Sequence, residues 1–195
     1  MSGAWLREEQ ADLAAGKILD AAGRAFVDLG VARTRMGHIA RYAGCSRGTL
    51  YRYFGTREQL YAAYIDRASR VLSAQLAAEL ADIRDPRERL VEAVVRAVER
   101  VRSSPKLAAW FDPNAAGLSA RMSHASHAIE ALSSAFVEGL PGPAAAGDDP
   151  SASLRAHWMV RVIVSLLTLP GRDAAQERAL VERFVAPGLV AGSTG

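Results

Sequence analysis

Apolar residues recur along this chain at intervals of three and four rather than in alternation, which is the spacing of helices with one buried face. Ile18, Ala22, Ala25, Phe26 and Leu29 fall on one such face, predicting a helix over 13–29, and Gly30 follows as a C-terminal cap. Met36, Ile39, Ala40 and Ala43 form a shorter stripe that Gly44 stops. Ser46 stands where an N-cap would open a third short helix, which carries Leu50, Tyr53 and Phe54 and ends at Gly55. Thr56 with Gln59 three residues on has the form of a capping box. It predicts a fourth helix through Leu60, Tyr64, Ile65, Ala68, Val71, Leu72 and Leu76, reaching Ile83.

The same punctuation continues. Asp85-Pro86 opens a helix with Leu90, Val94, Ala97, Val98 and Val101 on its stripe, and Ser104-Pro105 opens a short segment through Trp110 and Phe111. Leu118, Met122, Ala125, Ile129, Leu132 and Phe136 predict one long amphipathic helix; residues 141–150, rich in Pro, Gly and Ala, predict a loop. The segment 151–169 is apolar nearly all the way round, so both of its sides are expected to be buried, one on the chain's own core and the other on a second subunit. A last helix is expected over 174–186, with Ala179, Leu180, Phe184 and Val185 inward. No internal repeat or strand alternation is found, so the fold class is all-α.

Composition agrees: of 195 residues half are hydrophobic, enough for a real core. One cysteine, Cys45, excludes an internal disulfide and fits a cytoplasmic protein. The most apolar stretch, 159–169, is interrupted by Arg161 and closed by Pro170, too short for a membrane span. Charge placement is more informative than the net +3. The first seventy residues hold eleven basic and seven acidic groups, the remainder thirteen and fourteen. Between positions 33 and 57 there are six arginines and no Asp or Glu. Such a local excess is the footprint of a polyanion-binding module, although a solvated basic face would look the same.

The run from Ile39 to Phe54 distinguishes the two. Two short helices are separated by a turn at Gly44, with small Ala40 and Ala43 allowing close approach, and the second helix opens with polar Ser46, Arg47 and Thr49. That is the layout of a helix-turn-helix whose second helix enters the major groove N-terminus first. Arg47 can reach guanine edges, Thr49 a base or thymine methyl, and the hydroxyls of Ser46 and Tyr51 phosphate. Of Tyr51 and Tyr53 one is expected to face DNA and one to pack, with Tyr51 preferred outward. Arg41 meets a phosphate or is merely solvated.

On Ile39-Ala40, Ala43-Gly44, Ser46, Gly48-Thr49-Leu50-Tyr51, Tyr53-Phe54, Arg57-Glu58 and Leu60, the stretch resembles the DNA-binding domain of TetR-type repressors over residues 13–72. The resemblance implies about nine helices: a three-helix helix-turn-helix head over 12–72, and a C-terminal helical effector-binding and dimerisation domain over 73–195. It implies two copies bound to a palindromic operator in double-stranded DNA, released by a small apolar or amphipathic effector. It adds Gly48, Arg57 and Thr34 or Arg35 to the DNA-contacting candidates. Three positions depart from the usual pattern: Cys45 for Val, Arg57 for Lys, and Arg35 where Thr commonly starts the second helix. Cys45 reads as a small packing residue, with redox sensing the weaker alternative.

Elsewhere, Trp110, Phe111, Met122, Phe136, Trp158 and Met159 are candidates to line an effector pocket, each equally readable as core. Trp158, Val162, Ser165, Leu166, Leu169 and Phe184 are the candidate dimer contacts. His124 and His127 are spaced to share a metal on a helix, but with only Glu130 near them no metal site is expected. No nucleophile elbow or phosphate loop occurs, so neither enzyme activity nor a cofactor is expected.

Overall fold

Glycines, prolines and capping side chains set most helix boundaries in the computed structural model, which describes residues 3–112, 115, 117, 126–141 and 150–190, with the side chains of 3–8 and 150–151 excepted. The helices are α1 Gly3–Leu29, α2 Met36–Ala43, α3 Arg47–Phe54, α4 Arg57–Glu79, α5 Pro86–Ser103, α6 Pro105–Ala108, α7 His127–Glu138 and α8 Pro150–Thr168. A short 3-10 turn, Ala109–Phe111, follows α6. The last rod is α9 Ala174–Leu180, a π turn Val181–Val185 and α10 Ala186–Leu189. Among the described residues there is no strand, and no helix is long and apolar enough to cross a membrane.

The caps work as their chemistry requires. Thr56 Oγ1 accepts from the Gln59 amide at 3.1 Å while Gln59 Oε1 accepts from the Thr56 amide at 3.2 Å, completing the capping box. Asp85 Oδ1 accepts from the Glu88 amide at 2.7 Å, with Pro86 in the first turn where its missing N–H costs nothing.

Three expectations fail, each for a local reason. Helix α1 begins ten residues before Leu13, and residues 9–13 are exposed, so that stretch carries no buried stripe to read. The long helix expected from Leu118 instead starts at His127. Ser126 is extended (φ −84°, ψ 110°), its hydroxyl accepting from the Ile129 amide at 3.2 Å and donating to Asp66 at 2.6 Å on α4; Leu118 and Met122 lie outside the described residues. In the last rod Val181, Val185, Ala186 and Leu189 point inward, whereas Ala179, Leu180 and Phe184 face outward. The buried face runs through Glu177, Val181 and Val185, four residues apart, and Ala186 joins it after the π turn.

Two apolar clusters organise the molecule. One joins α1, α2, α3 and the start of α4, and draws in Trp110 and Ala115. The other joins α5, α7, α8 and the last rod. Helix α4 runs through both, with Leu60 to Tyr64 in the first and Leu72 against the second. Arg102 locks the second cluster: it donates to both carboxylate oxygens of buried Glu177 at 2.7 and 2.8 Å and to the Leu166 carbonyl at 2.7 Å.

Candidate nucleic-acid interface

The turn between α2 and α3 is built on Gly44, whose φ of 66° lies in the left-handed region that a β-carbon strains. Its neighbour's amide, Cys45 N, reaches back to the Ala40 carbonyl at 3.0 Å and so closes the end of α2. Ser46 then caps α3, accepting from the Thr49 amide at 3.0 Å, with the Thr49 hydroxyl 2.9 Å away. The amides of Arg47 and Gly48 are left without an intrahelical acceptor at an exposed helix N-terminus, a natural seat for a phosphate oxygen.

Leu50 (0% exposed) and Phe54 anchor α3 in the head's core. That anchoring turns the other side outward. Ser46, Arg47, Gly48 and Tyr51 are exposed, Tyr51 by 48%, and Thr49 is half-buried. Arg47 folds back over α2: a β-carbon on Gly37 would lie 2.6 Å from its guanidinium, so the absence of one leaves room for that side chain. Tyr53 is half-buried against the core with the Arg52 guanidinium 5.7 Å from its ring, the packing member of the pair. Arg41 is exposed on α2, and half-buried Arg57 at the start of α4 lies 4.9 Å above the Tyr61 ring. Cys45 packs partly buried against the head's core.

Thr34 is 0% exposed, its hydroxyl donating to the Gly30 carbonyl at 2.8 Å and the Ala25 carbonyl at 3.3 Å, so its side chain ties the turn to α1. Arg35 occupies the N-cap position of α2 and is exposed; its amide donates to His38 Nδ1 at 3.3 Å. His38 thus caps α2, a role its isolation in the sequence did not show.

The second cluster is not filled. Helices α4, α5, α7 and α8 line a partly open cavity of about 260 Å³. Trp110, Phe111, Phe136 and Met159 line it. Trp158 does not, being 50% exposed on the far side of α8, and Met122 lies outside the described residues, as does His124. The residues missed by sequence reading are Tyr64, Leu72 and Leu76 on α4 and Arg89, Ala93 and Ala97 on α5. Two alanines in an otherwise valine-rich stripe were the available sign of spare volume.

The cavity ends against the head. Phe26 of α1 meets Tyr64 edge-on at 5.0 Å and Trp110 at 5.2 Å, and Tyr64 and Trp110 stack at 5.9 Å. Both rings therefore belong to the cavity wall and to the head's core. Burial pushes the Tyr64 phenol up to about 12, so it stays a neutral donor, here to the Lys106 carbonyl at 3.4 Å. Arg67 of α4 adds a polar tie, pairing with Asp20 at 2.6 Å and donating to the Gly16 carbonyl at 3.1 Å on α1.

Of the candidate dimer contacts, Trp158, Leu169 (76% exposed) and Phe184 (68%) stand out from the surface together with Leu154, and Ser165 and Arg161 are exposed on the same helix. Val162 is half-buried, and Leu166 is buried in the chain's own second cluster, which removes it from the outward face.

A family profile described as "Bacterial regulatory proteins, tetR family" matches residues 18–64. An uncharacterized HTH-type transcriptional regulator of Mycobacterium tuberculosis is 44% identical over 184 residues, covering 94% of this chain and 89% of the relative. Among solved structures, a TetR transcriptional regulator from Rhodococcus sp. RHA1 superposes with a TM-score of 0.68 at 20% identity, over 96% of this chain and 100% of that one. The TetR family repressor AlkX from Dietzia sp., implicated in biodegradation of n-alkanes, superposes with a TM-score of 0.62 at 22% identity, over 89% and 93%. At these identities the two structures speak to the fold alone.

Proposed function

Because this chain belongs to the TetR family of bacterial helix-turn-helix transcriptional regulators, we propose that it is a cytoplasmic, dimeric repressor released from its operator by a small apolar or amphipathic ligand. In this reading residues 12–72 are the DNA-binding domain and 73–195 the effector-binding and dimerisation domain. The observation that carries it is the two-sidedness of α3: Leu50 and Phe54 fix the helix, while Ser46, Arg47, Gly48 and Tyr51 stand free along its outer face.

In the complex, the amides at the start of α3 and the hydroxyls of Ser46 and Tyr51 hold phosphates. Arg47 swings off Gly37 to reach a base edge, Thr49 touches a base, and Arg35, Arg41 and Arg57 add backbone contacts. Such contacts act only in pairs if two heads sit about one helical turn, roughly 34 Å, apart on a palindromic site. The apolar surface of Leu154, Trp158, Leu169 and Phe184 supports a second copy docking there, since single-chain exposure of so much apolar area is unfavourable.

The shared rings supply the coupling. A ligand in the cavity presses on Tyr64 and Trp110, which carry Phe26 and hence α1; it releases DNA only by binding the released geometry more tightly than the DNA-bound one. The unfilled body favours this reading over an effector-independent one, for which a packed body would be expected. A gel-shift of the full chain on the duplex upstream of its own gene, at low salt, tests the proposal. Saturable binding there supports it; no binding on that or any neighbouring promoter overturns it.

A further inference from the structure

The cavity contains one group that its apolar lining does not explain. Arg89, in the first turns of α5, is the sole cation among the described lining residues, and no Asp or Glu lines the cavity with it. Its Nε is shut off from solvent and donates to nothing, and its side chain makes no ion pair among the described residues. Among the described residues its partner is the ring of Phe136, 5.9 Å from the guanidinium carbon. A guanidinium N–H shut off from water with no acceptor costs stability unless something else answers it.

Its place in the cavity says what that something is. Arg89, Ala93, Ala97 and Val101 line one wall at every fourth residue of α5. At a rise of about 1.5 Å per residue this wall is about 18 Å long. Arg89 is at one end; Tyr64 and Trp110 close the other, and between them the described lining is apolar but for the hydroxyls of Ser69 and Ser73 on α4 and Ser133 on α7. One positive end, one long apolar channel and, among the described residues, no second cation match a monoanionic amphiphile.

We propose that the effector is a carboxylate on an extended hydrocarbon chain, its head held by Arg89 and its tail directed at the Tyr64–Trp110 pair. This rests on the effector reading above and names its chemical class. The carboxylate takes the free guanidinium donors, and Phe136 holds the guanidinium from its face while the carboxylate meets its edge. The tail displaces the void, and its tip reaches the two rings shared with the head.

Isothermal titration of the full chain with myristate and with the matching uncharged alcohol, tetradecanol, tests this, repeated on Arg89→Met, which keeps the side chain's length and apolar stem. The expected result is a preference for the acid of roughly tenfold or more in the parent chain. In Arg89→Met that preference disappears while the alcohol binds as before, which also shows the variant to be folded. Equal binding of acid and alcohol by the parent, or an acid preference that survives Arg89→Met, overturns the assignment of Arg89 and leaves the effector reading standing. Binding of neither overturns this assignment and counts against the cavity as an effector site.

Discussion

The head and the body solve the problem of burying apolar surface in opposite ways. In the head, Phe26 meets Tyr61, Tyr64 and Trp110 edge to face, Tyr64 stacks on Trp110, Tyr61 donates its hydroxyl to the Val31 and Thr34 carbonyls at 3.1 and 3.0 Å, and buried Thr34 is satisfied twice. In the body, α4, α5, α7 and α8 leave about 260 Å³ open and a guanidinium nitrogen unmatched. A filled region holds one geometry, as a surface that reads DNA must. An open region forgoes packing energy that a guest can restore. The difference teaches where this chain is tightly packed and where it has room for a guest, and the two regions meet at Tyr64 and Trp110.

Substitutions break or sharpen this contrast. Phe26→Ala in the filled head should cost about 3–5 kcal/mol in urea denaturation, and Phe136→Ala beside the cavity clearly less, because part of its surroundings is already empty. Equal losses would mean the body is packed as well as the head. Enlarging residues should show the reverse asymmetry. Ala22→Leu, at a fully buried head position, should destabilise by about 1–3 kcal/mol. Ala97→Leu, which grows into the cavity, should be neutral or stabilising by up to about 1 kcal/mol while blocking ligand.

The body's polar lock makes it sensitive to acid. The Arg102 guanidinium, with help from the Gly171 amide, holds the Glu177 carboxyl below the usual glutamate range. A carboxyl depressed in the folded state stabilises fully above its unfolded value, about 4.3, and that contribution is lost as pH falls through the folded value. Glu177→Gln should therefore lower stability at neutral pH by about 1–2 kcal/mol, discounted because Arg102 reaches solvent, and flatten the fall in melting temperature below pH 4.3 or so. An unchanged pH profile would remove Glu177 from that lock. Smallest, Ser46→Ala should cost about 1 kcal/mol through the lost cap of α3, read by the same denaturation.

The two regions were also unequally legible in the sequence. The head is written in local signals: Gly44 for a left-handed turn, Ser46 and the Thr56–Gln59 pair for helix starts, and Leu50 and Phe54 for the inward face of α3. Each acts within a few residues of itself, so spacing alone revealed it. Thr34 escaped because its two acceptors come from the preceding helix and turn, and nothing near it marks it as buried. The cavity was harder still. It arises where α4 and α5 fail to fill the space facing α7 and α8; Trp110, Phe111, Phe136 and Met159 line it, while Trp158, on the same helix as Met159, points the other way. Arg89 looked like any surface arginine of a first helical turn. Phe184 continues the outward face that Leu180 begins before the π turn, and buried Glu177, paired with Arg102 from α5, marks the inward face with a charge that an apolar pattern does not register.

The account rests on α3 as the surface that reads DNA. The most direct test is a fluorescence-anisotropy titration of the duplex upstream of the chain's own gene, at several salt concentrations, with the parent chain and with Arg47→Ala, Tyr51→Ala and Thr34→Val. The account predicts tight binding by the parent that weakens steeply with salt, a loss of about 1–3 kcal/mol for each of the two α3 variants, and no direct loss of DNA contact in folded Thr34→Val. Parent-like affinity in both Arg47→Ala and Tyr51→Ala would contradict it.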